Sequence, residues 1–417
     1  MASGDARLIN RIFLDRQLQI LTFTTLYPSQ IRPQHGIFVE TRLRKLVDSG
    51  AVTASVTAPC PWFPLASRWF GRYSLFARQP REEIRYGLRV DHPRYLQLPK
   101  IGMCVAPLAI FTALLPVLRR QLCEGRDFDL IDAHYFYPDG VAAVLLGRAL
   151  GRPVVVTARG SDLNIIAEYA APRRWICWSA RRADGLVAVS SGLKRRLVAL
   201  GIVEERVRVL CNGVDLAFFR PTDRDVARRA LGLTRPTLLA VGNLVGLKRH
   251  RMMVEALVGL PGVDLVIVGE GPERTAIEEL ARKRRVADRV RLLGHLPQER
   301  LPDVYSAADL LLLASTHEGW PNVLLESMAC GTPVIVPDID GIADIVGAPE
   351  AGRIVQEPTP DRLATAARDL LAALPARAAT RAYAERFEWQ STTEGQIALF
   401  REICEQRPIR RGVAHAP

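Results

Sequence analysis

Short apolar runs alternate with helical patterns along this chain, and that alternation restricts its fold more than any other feature. Runs at 18–24, 52–58, 128–134, 153–158, 185–190 and 206–211 read as strands, each buried enough to be nearly continuous in apolar residues. Between them lie helical spacings such as 37–47, with apolar residues at 39, 43, 46 and 47 on one face. Pro221 ends this series, and the Arg-rich stretch 222–235 reads as a linker with a short helix. A second series follows at 237–241, 263–268, 289–293, 308–314 and 333–337. Strand–helix alternation of this kind builds parallel α/β sheets. At 417 residues the chain exceeds one compact core and suits two domains. The expected fold is therefore α/β, two Rossmann-like halves facing a central cleft, with ligands at the carboxyl ends of the strands.

Composition narrows the partners. The seven cysteines are scattered without a Cys-x-x-Cys pair, which argues against a disulfide framework or zinc site and for a reducing cytoplasm. The net charge of +12 is carried mainly by Arg and suits nucleic acid, an anionic membrane or anionic substrates. No recognition-helix or zinc-finger pattern supports nucleic acid, which is set aside. Residues 1–19 carry charges throughout and do not read as a secretory signal. The segment 101–118 is nearly free of charge and about as long as a short membrane span, but Pro107 and Pro116 interrupt it. It is expected to be a buried or surface-associated helix of the first domain.

The richest local pattern runs from Glu318-Gly319-Trp320-Pro321-Asn322-Val323 through Glu326 to Gly331-Thr332-Pro333. Pro321 suits the opening of a helix and Gly331 its end. Glu318 falls in the preceding loop and Glu326 about a turn inside. Free N–H groups at such a helix start can seat a diphosphate, and ionised carboxylates accept hydrogen bonds from sugar hydroxyls. As bare spacing, two surface glutamates around an ordinary helix explain it equally well. Elsewhere, Lys248 follows the turn Gly242-Asn243 at a strand end, where an ammonium can neutralise a diphosphate. Gly269-Glu270-Gly271-Pro272 closes another strand, and His134 ends the strand 128–134.

The stretch 318–335 resembles the E-x7-E region of the family 4 glycosyltransferases, which have the two-domain GT-B fold, and the resemblance extends over 18–405. Its wording, with Gly36-Ile37-Phe38, is similar to the subset that builds exopolysaccharides and teichuronic acid. The resemblance implies an acceptor-binding domain at 1–220, a nucleotide-sugar domain at 221–385, a helix at 386–405 crossing back, and a disordered tail at 406–417. It implies retaining, metal-independent transfer of a hexose from a UDP- or GDP-sugar, with no cofactor, to a lipid-linked or oligosaccharide acceptor. His134, Lys248 and Glu318 become the expected catalytic residues. Gly36, Gly242, Asn243, Lys248, Gly269, Gly271, Gly319, Trp320, Pro321, Asn322, Val323 and Glu326 are expected at the donor, with Glu326 on the ribose diol. Two departures stand out: Asn243 where relatives often carry Arg, and Arg159 where they often carry His. Arg159 and Asp162 are expected on the acceptor side, Arg159 reading an acidic group.

A basic, aromatic set (Trp62, Phe63, Trp69, Phe70, Arg72, Tyr73, Phe76, Arg78, Arg173, Arg174, Trp175 and Trp178) suits the anionic inner leaflet, although core packing would also account for it. A peripheral cytoplasmic enzyme is the expected setting. A sugar-nucleotide epimerase of the same fold and an inactive scaffold of a polysaccharide-assembly complex remain as alternatives.

Overall fold

The computed structural model describes residues 16–62, 73–97 and 102–407. Phe63, Trp69, Phe70 and Arg72 of the aromatic set, and the tail from 408 onward, lie outside the described residues. The chain divides into two compact units, Met1–Cys211 with Gln390–Pro417, and Asn212–Trp389.

Unit 1 carries β1 (Leu18–Phe23), β2 (Val52–Thr57), β3 (Cys60–Pro61), β4 (Glu82–Arg85), β5 (Leu88–Asp91), β6 (Arg94–Tyr95), β7 (Leu130–His134), β8 (Val154–Ala158), β9 (Gly185–Ala188) and β10 (Val207–Val209). One sheet runs β10-β9-β8-β7-β1-β2-β5-β4, parallel except at the β4–β5 edge, while β3 and β6 pair separately. Strands β7 and β8 are buried at every residue, as an interior parallel sheet requires. Strands β4 and β5 form a hairpin whose turn, Tyr86-Gly87, has both φ values positive, at 48° and 77°.

Unit 2 carries β11 (Thr237–Val241), β12 (Asp264–Val268), β13 (Val290–Gly294), β14 (Leu310–Leu312), β15 (Val334–Pro337) and β16 (Gly352–Val355), all parallel in the order β13-β12-β11-β14-β15-β16. Strand β14 is shorter than its apolar run. Asp309 stops it by accepting from the Thr237 N–H at 2.8 Å and from Arg224 and Arg228.

In both sheets the chain winds outward in two directions from one point. Strand order reverses between β1 and β7 in unit 1, and between β11 and β14 in unit 2. Loops leaving the carboxyl ends of such strand pairs diverge, which is where open α/β sheets bind ligands.

The closing helix Trp389–Gln406 lies almost wholly in unit 1 and buries Ile397, Phe400 and Ile403 in its core with Ile20, Leu43 and Val155. Gln396 on that helix reaches further in. Its Nε2 donates to Asp132 at 3.0 Å and its Oε1 accepts from Arg42 at 2.6 Å, and both side chains are buried. The helix Gly102–Cys123 contains Pro107 and Pro116 and buries Ile110, Leu114 and Leu118 while exposing Val105, Leu108 and Val117. By length and composition it could cross a membrane, and a third of its apolar window is buried within the unit.

Gly36 precedes the helix Ile37–Asp48 with φ at 75°, and a Cβ there would stand 2.2 Å from the Leu26 carbonyl oxygen. Both the backbone conformation and the close approach exclude a side chain. Gly36→Ala is therefore expected to cost at least about 2 kcal/mol, read as a lower urea midpoint at unchanged slope. A loss below about 0.5 kcal/mol would mean that the turn differs from this description.

Candidate functional site

In unit 2 the loops after β11 and β14 carry the key charges. After β11, Gly242 and Asn243 turn into a short helical turn at Gly246–Lys248. After β14, the Thr316 N–H donates to the Leu247 carbonyl at 2.9 Å, which joins the two loops. Two residues on, Glu318 Oε1 accepts from Lys248 Nζ at 2.6 Å, and both side chains are largely buried. The sequence offered Lys248 for a diphosphate and Glu318 for sugar hydroxyls; here they bind each other across the strand-order reversal.

Gly269 lets the neighbouring loop close in. Its φ is 143°, and a Cβ would meet the Gly242 carbonyl oxygen at 2.0 Å. Leu244 N–H donates to Glu270 O at 2.9 Å and Gly269 N–H to Gly294 O at 2.8 Å, so the loops after β11, β12 and β13 are laced by backbone. Gly271 likewise approaches Leu244. Asn243 is exposed on the outer side of this lacing.

The helix expected after Pro321 spans Asn322–Ala329, with Pro321 as the residue before it and Gly331, at φ 79°, just past its end. Trp320 is buried and packs toward Phe387 at 6.4 Å between ring centres, so its ring belongs to the interior and only its backbone borders the loop. Asn322 accepts from Asn212 at 3.2 Å, and Val323 is half-buried beside it. Glu326 accepts from the Tyr305 hydroxyl at 2.7 Å. Burial pushes its carboxyl up to about 7, partly opposed by that hydrogen bond. Tyr305 had no signal in the sequence, because a tyrosine on an ordinary amphipathic helix reads as core.

In unit 1 the loop after β1 is pinned across the other reversal point. Asp139 Oδ2 accepts from the Thr25 N–H at 2.7 Å, the Thr25 hydroxyl at 3.0 Å and the Thr24 hydroxyl at 3.1 Å. His134, expected to present its ring to the donor sugar, is 1% exposed, and both ring nitrogens are engaged. Arg159 Nη2 lies 2.7 Å from Nδ1, and Nε2 lies 3.2 Å from Asp132. A guanidinium only donates, so Nδ1 accepts and the proton sits on Nε2, facing Asp132. Burial lowers the imidazole to about 4, which keeps it neutral.

The acceptor-side pair is also placed differently. Arg159 is buried, donates to His134 and lies over the Phe38 ring at 5.4 Å, so it does not face outward to read a ligand. Asp162 is fully buried and accepts from the N–H groups of Phe136 at 2.8 Å and Gly160 at 2.7 Å. Its role is to hold the turn after β8. Among the described residues no group of three His, Cys, Asp or Glu side chains could hold a metal ion.

Comparison with known proteins places the chain in a family. The family described as "Glycosyl transferases group 1" matches residues 222–387, and "Glycosyltransferase Family 4" matches residues 71–218. TuaC of Bacillus subtilis (strain 168), named as a teichuronic acid biosynthesis glycosyltransferase, is 30% identical over 343 residues, covering 79% of this chain and 83% of TuaC. The chain belongs to the family 4 glycosyltransferases. Its fold is GT-B. A sucrose-phosphate synthase of Thermosynechococcus elongatus has a TM-score of 0.76 at 21% identity, covering 93% of this chain and 99% of that one. The Anabaena protein HepE, solved in complex with UDP, has a TM-score of 0.70 at 18% identity, covering 92% and 98%. At these identities the two structures speak for the fold alone.

The half-buried Glu326 carboxyl has a consequence for stability. A carboxyl raised from 4.5 to about 7 binds its proton more tightly in the folded state, so folding loses stability as pH rises across that window. Glu326→Gln removes this dependence. Its melting temperature relative to the parent is expected to climb from pH 4.5 to pH 7 and level off above; a difference that is flat with pH would show that Glu326 is not held in this environment.

Proposed function

We propose that this glycosyltransferase moves a hexose from a UDP- or GDP-sugar to a saccharide acceptor, with retention at the anomeric carbon and without a metal ion. Its setting is the synthesis of a cell-surface polysaccharide on the cytoplasmic side of a bacterial membrane, where the acceptor is lipid-linked. The observation that carries this reading is the Lys248–Glu318 pair at the strand-order reversal of unit 2. Transfer breaks the bond between the anomeric carbon and the diphosphate, and negative charge grows on the departing oxygen. A preformed cation beside that oxygen stabilises the transition state more than the ground state. Lys248 supplies it by exchanging Glu318 for the diphosphate.

Glu318, released from Lys248, then accepts hydrogen bonds from the hexose hydroxyls. Glu326 accepts from the ribose diol, with Tyr305 orienting the carboxylate through its own hydrogen bond. The N–H groups at Asn322 and Val323 and the turns at Gly36, Gly242, Asn243, Gly269 and Gly271 let backbone approach the donor, as do Gly319 and Pro321. His134 acts by holding its neighbours, since its nitrogens are already engaged. The name of TuaC supports polysaccharide synthesis.

The membrane part of the reading is supported by the exposed Val105, Leu108 and Val117 of the helix Gly102–Cys123, followed by exposed Arg119 and Arg120. Exposed Trp62 and exposed Arg173 and Arg174 belong to the same basic, aromatic set. The purified protein is expected to float with liposomes containing anionic lipid at low salt and to stay behind with neutral ones. Equal recovery from both would remove membrane docking.

Lys248→Ala is expected to lower kcat by about 10²–10³-fold while weakening UDP binding by less. Glu318→Ala should raise KM for the sugar nucleotide and also lower kcat. Initial rates of hexose transfer with and without EDTA, beside calorimetric binding of UDP, check both. Unchanged turnover in both variants would remove the site assignment, and a changed hexose in donor-only incubations would favour an epimerase.

A further inference from the structure

Unit 1 contains a cavity of about 210 Å³ at the carboxyl ends of β1, β2 and β5. Thr25 and Leu26, past the end of β1, form one side; Ala58 to Pro61, past β2, form another; and His92, past β5, closes it. It adjoins the Gly36 loop, since Leu26 is the residue against which Gly36 packs. The lining is partly apolar, with Leu26, Pro59 and Phe76 among its members.

Its polar wall includes Thr25, Ser29, Arg32, Tyr95 and His35, whose Nε2 donates to the Thr25 carbonyl at 3.2 Å. Arg32 is half-buried over the Phe76 ring at 5.8 Å, and among the described residues no carboxylate and no side-chain hydrogen bond engages its guanidinium. Gln79 backs this wall, 7% exposed, with its Oε1 accepting from the Ser29 hydroxyl at 2.9 Å. The nearby Glu83 carboxylate does not serve Arg32, because it meets His92 Nε2 at 2.7 Å and the Gln30 N–H at 3.1 Å. A guanidinium that has lost part of its hydration without gaining an acceptor is a cost to the fold. An oxyanion offsets that cost through paired N–H bonds, and a neutral hydroxyl does so far less well.

We propose that this cavity is the acceptor subsite for an oxyanion, a carboxylate or phosphate carried by the acceptor saccharide, and that Arg32 reads it. The proposal rests on the glycosyltransferase reading and gives it a substrate class: an acidic acceptor. The task expected of Arg159 from the sequence falls to Arg32, because Arg159 is turned inward to His134.

The test uses the full chain saturated with UDP, so that donor phosphate seats are filled. Inorganic phosphate, D-glucuronate and, as a neutral control, glucose are titrated by isothermal calorimetry. One or both anions are expected to bind through Arg32, and any binding of glucose is expected to be indifferent to Arg32; which anion binds distinguishes a phosphorylated from a uronate acceptor. Arg32→Gln should weaken that anion by about tenfold or more, Arg32→Lys by less, and both should keep UDP affinity. Binding of neither anion, or anion affinity in Arg32→Gln within twofold of the parent, overturns the proposal. If UDP itself fails to bind, the donor reading falls separately, and the same titrations on the free protein still decide the role of Arg32.

Discussion

The arrangement of both units follows from one topological constraint. A parallel sheet sends every strand's following loop to the same edge, and a reversal of strand order opens a gap between two of those loops. Unit 2 reverses between β11 and β14, and the loops leaving these strands carry Lys248 and Glu318. Unit 1 reverses between β1 and β7, and there Asp139 binds the backbone and hydroxyls of Thr24 and Thr25. The same topology thus yields a charged pair in one unit and a rigidifying carboxylate in the other. A largely buried Lys–Glu pair loses hydration on both sides, so it gains little net stability. Its value lies in keeping a cation and an acceptor preformed without leaving either charge unpaired.

Much of this was legible in the sequence for a simple reason. Buried parallel strands are nearly continuous apolar runs, and eleven of the sixteen strands described fall in runs that stand out in that way or nearly so. The β4–β5 hairpin escaped notice because its residues, Glu82 to Asp91, are an edge sequence with charges between its apolar positions. Pairs too short to show a period, such as β3 and β6, have no signature at all. Lys248, Glu318 and the glycine turns were found because each stands at the end of a readable strand. Partners recruited from elsewhere in the chain were not: Gln396 reaches Asp132 from 264 residues away, and Tyr305 reaches Glu326 from an unremarked helix. Orientation was the other blind spot. That His134 and Arg159 face each other, and not a ligand, depends on packing that no local spacing encodes.

The strongly basic composition has a similar physical resolution. A charge of +12 read from the sequence alone suggests polyanions. Many of the arginines instead serve backbone carbonyls. Arg206 donates to Ala180, Arg181 and Ala183; Arg377 to Ser306, Ala308 and Cys330; and Arg381 to Leu216, Phe219 and Ala329. Five donors in a rigid fork let one side chain satisfy several carbonyls at a helix end, which a lysine does less well. Net charge is therefore a poor guide to which arginines meet ligands. The better criterion is a guanidinium that lines a cavity and has neither carbonyl nor carboxylate to serve. By that criterion Arg32 differs in kind from Arg206, Arg377 and Arg381, although all four look alike in the sequence.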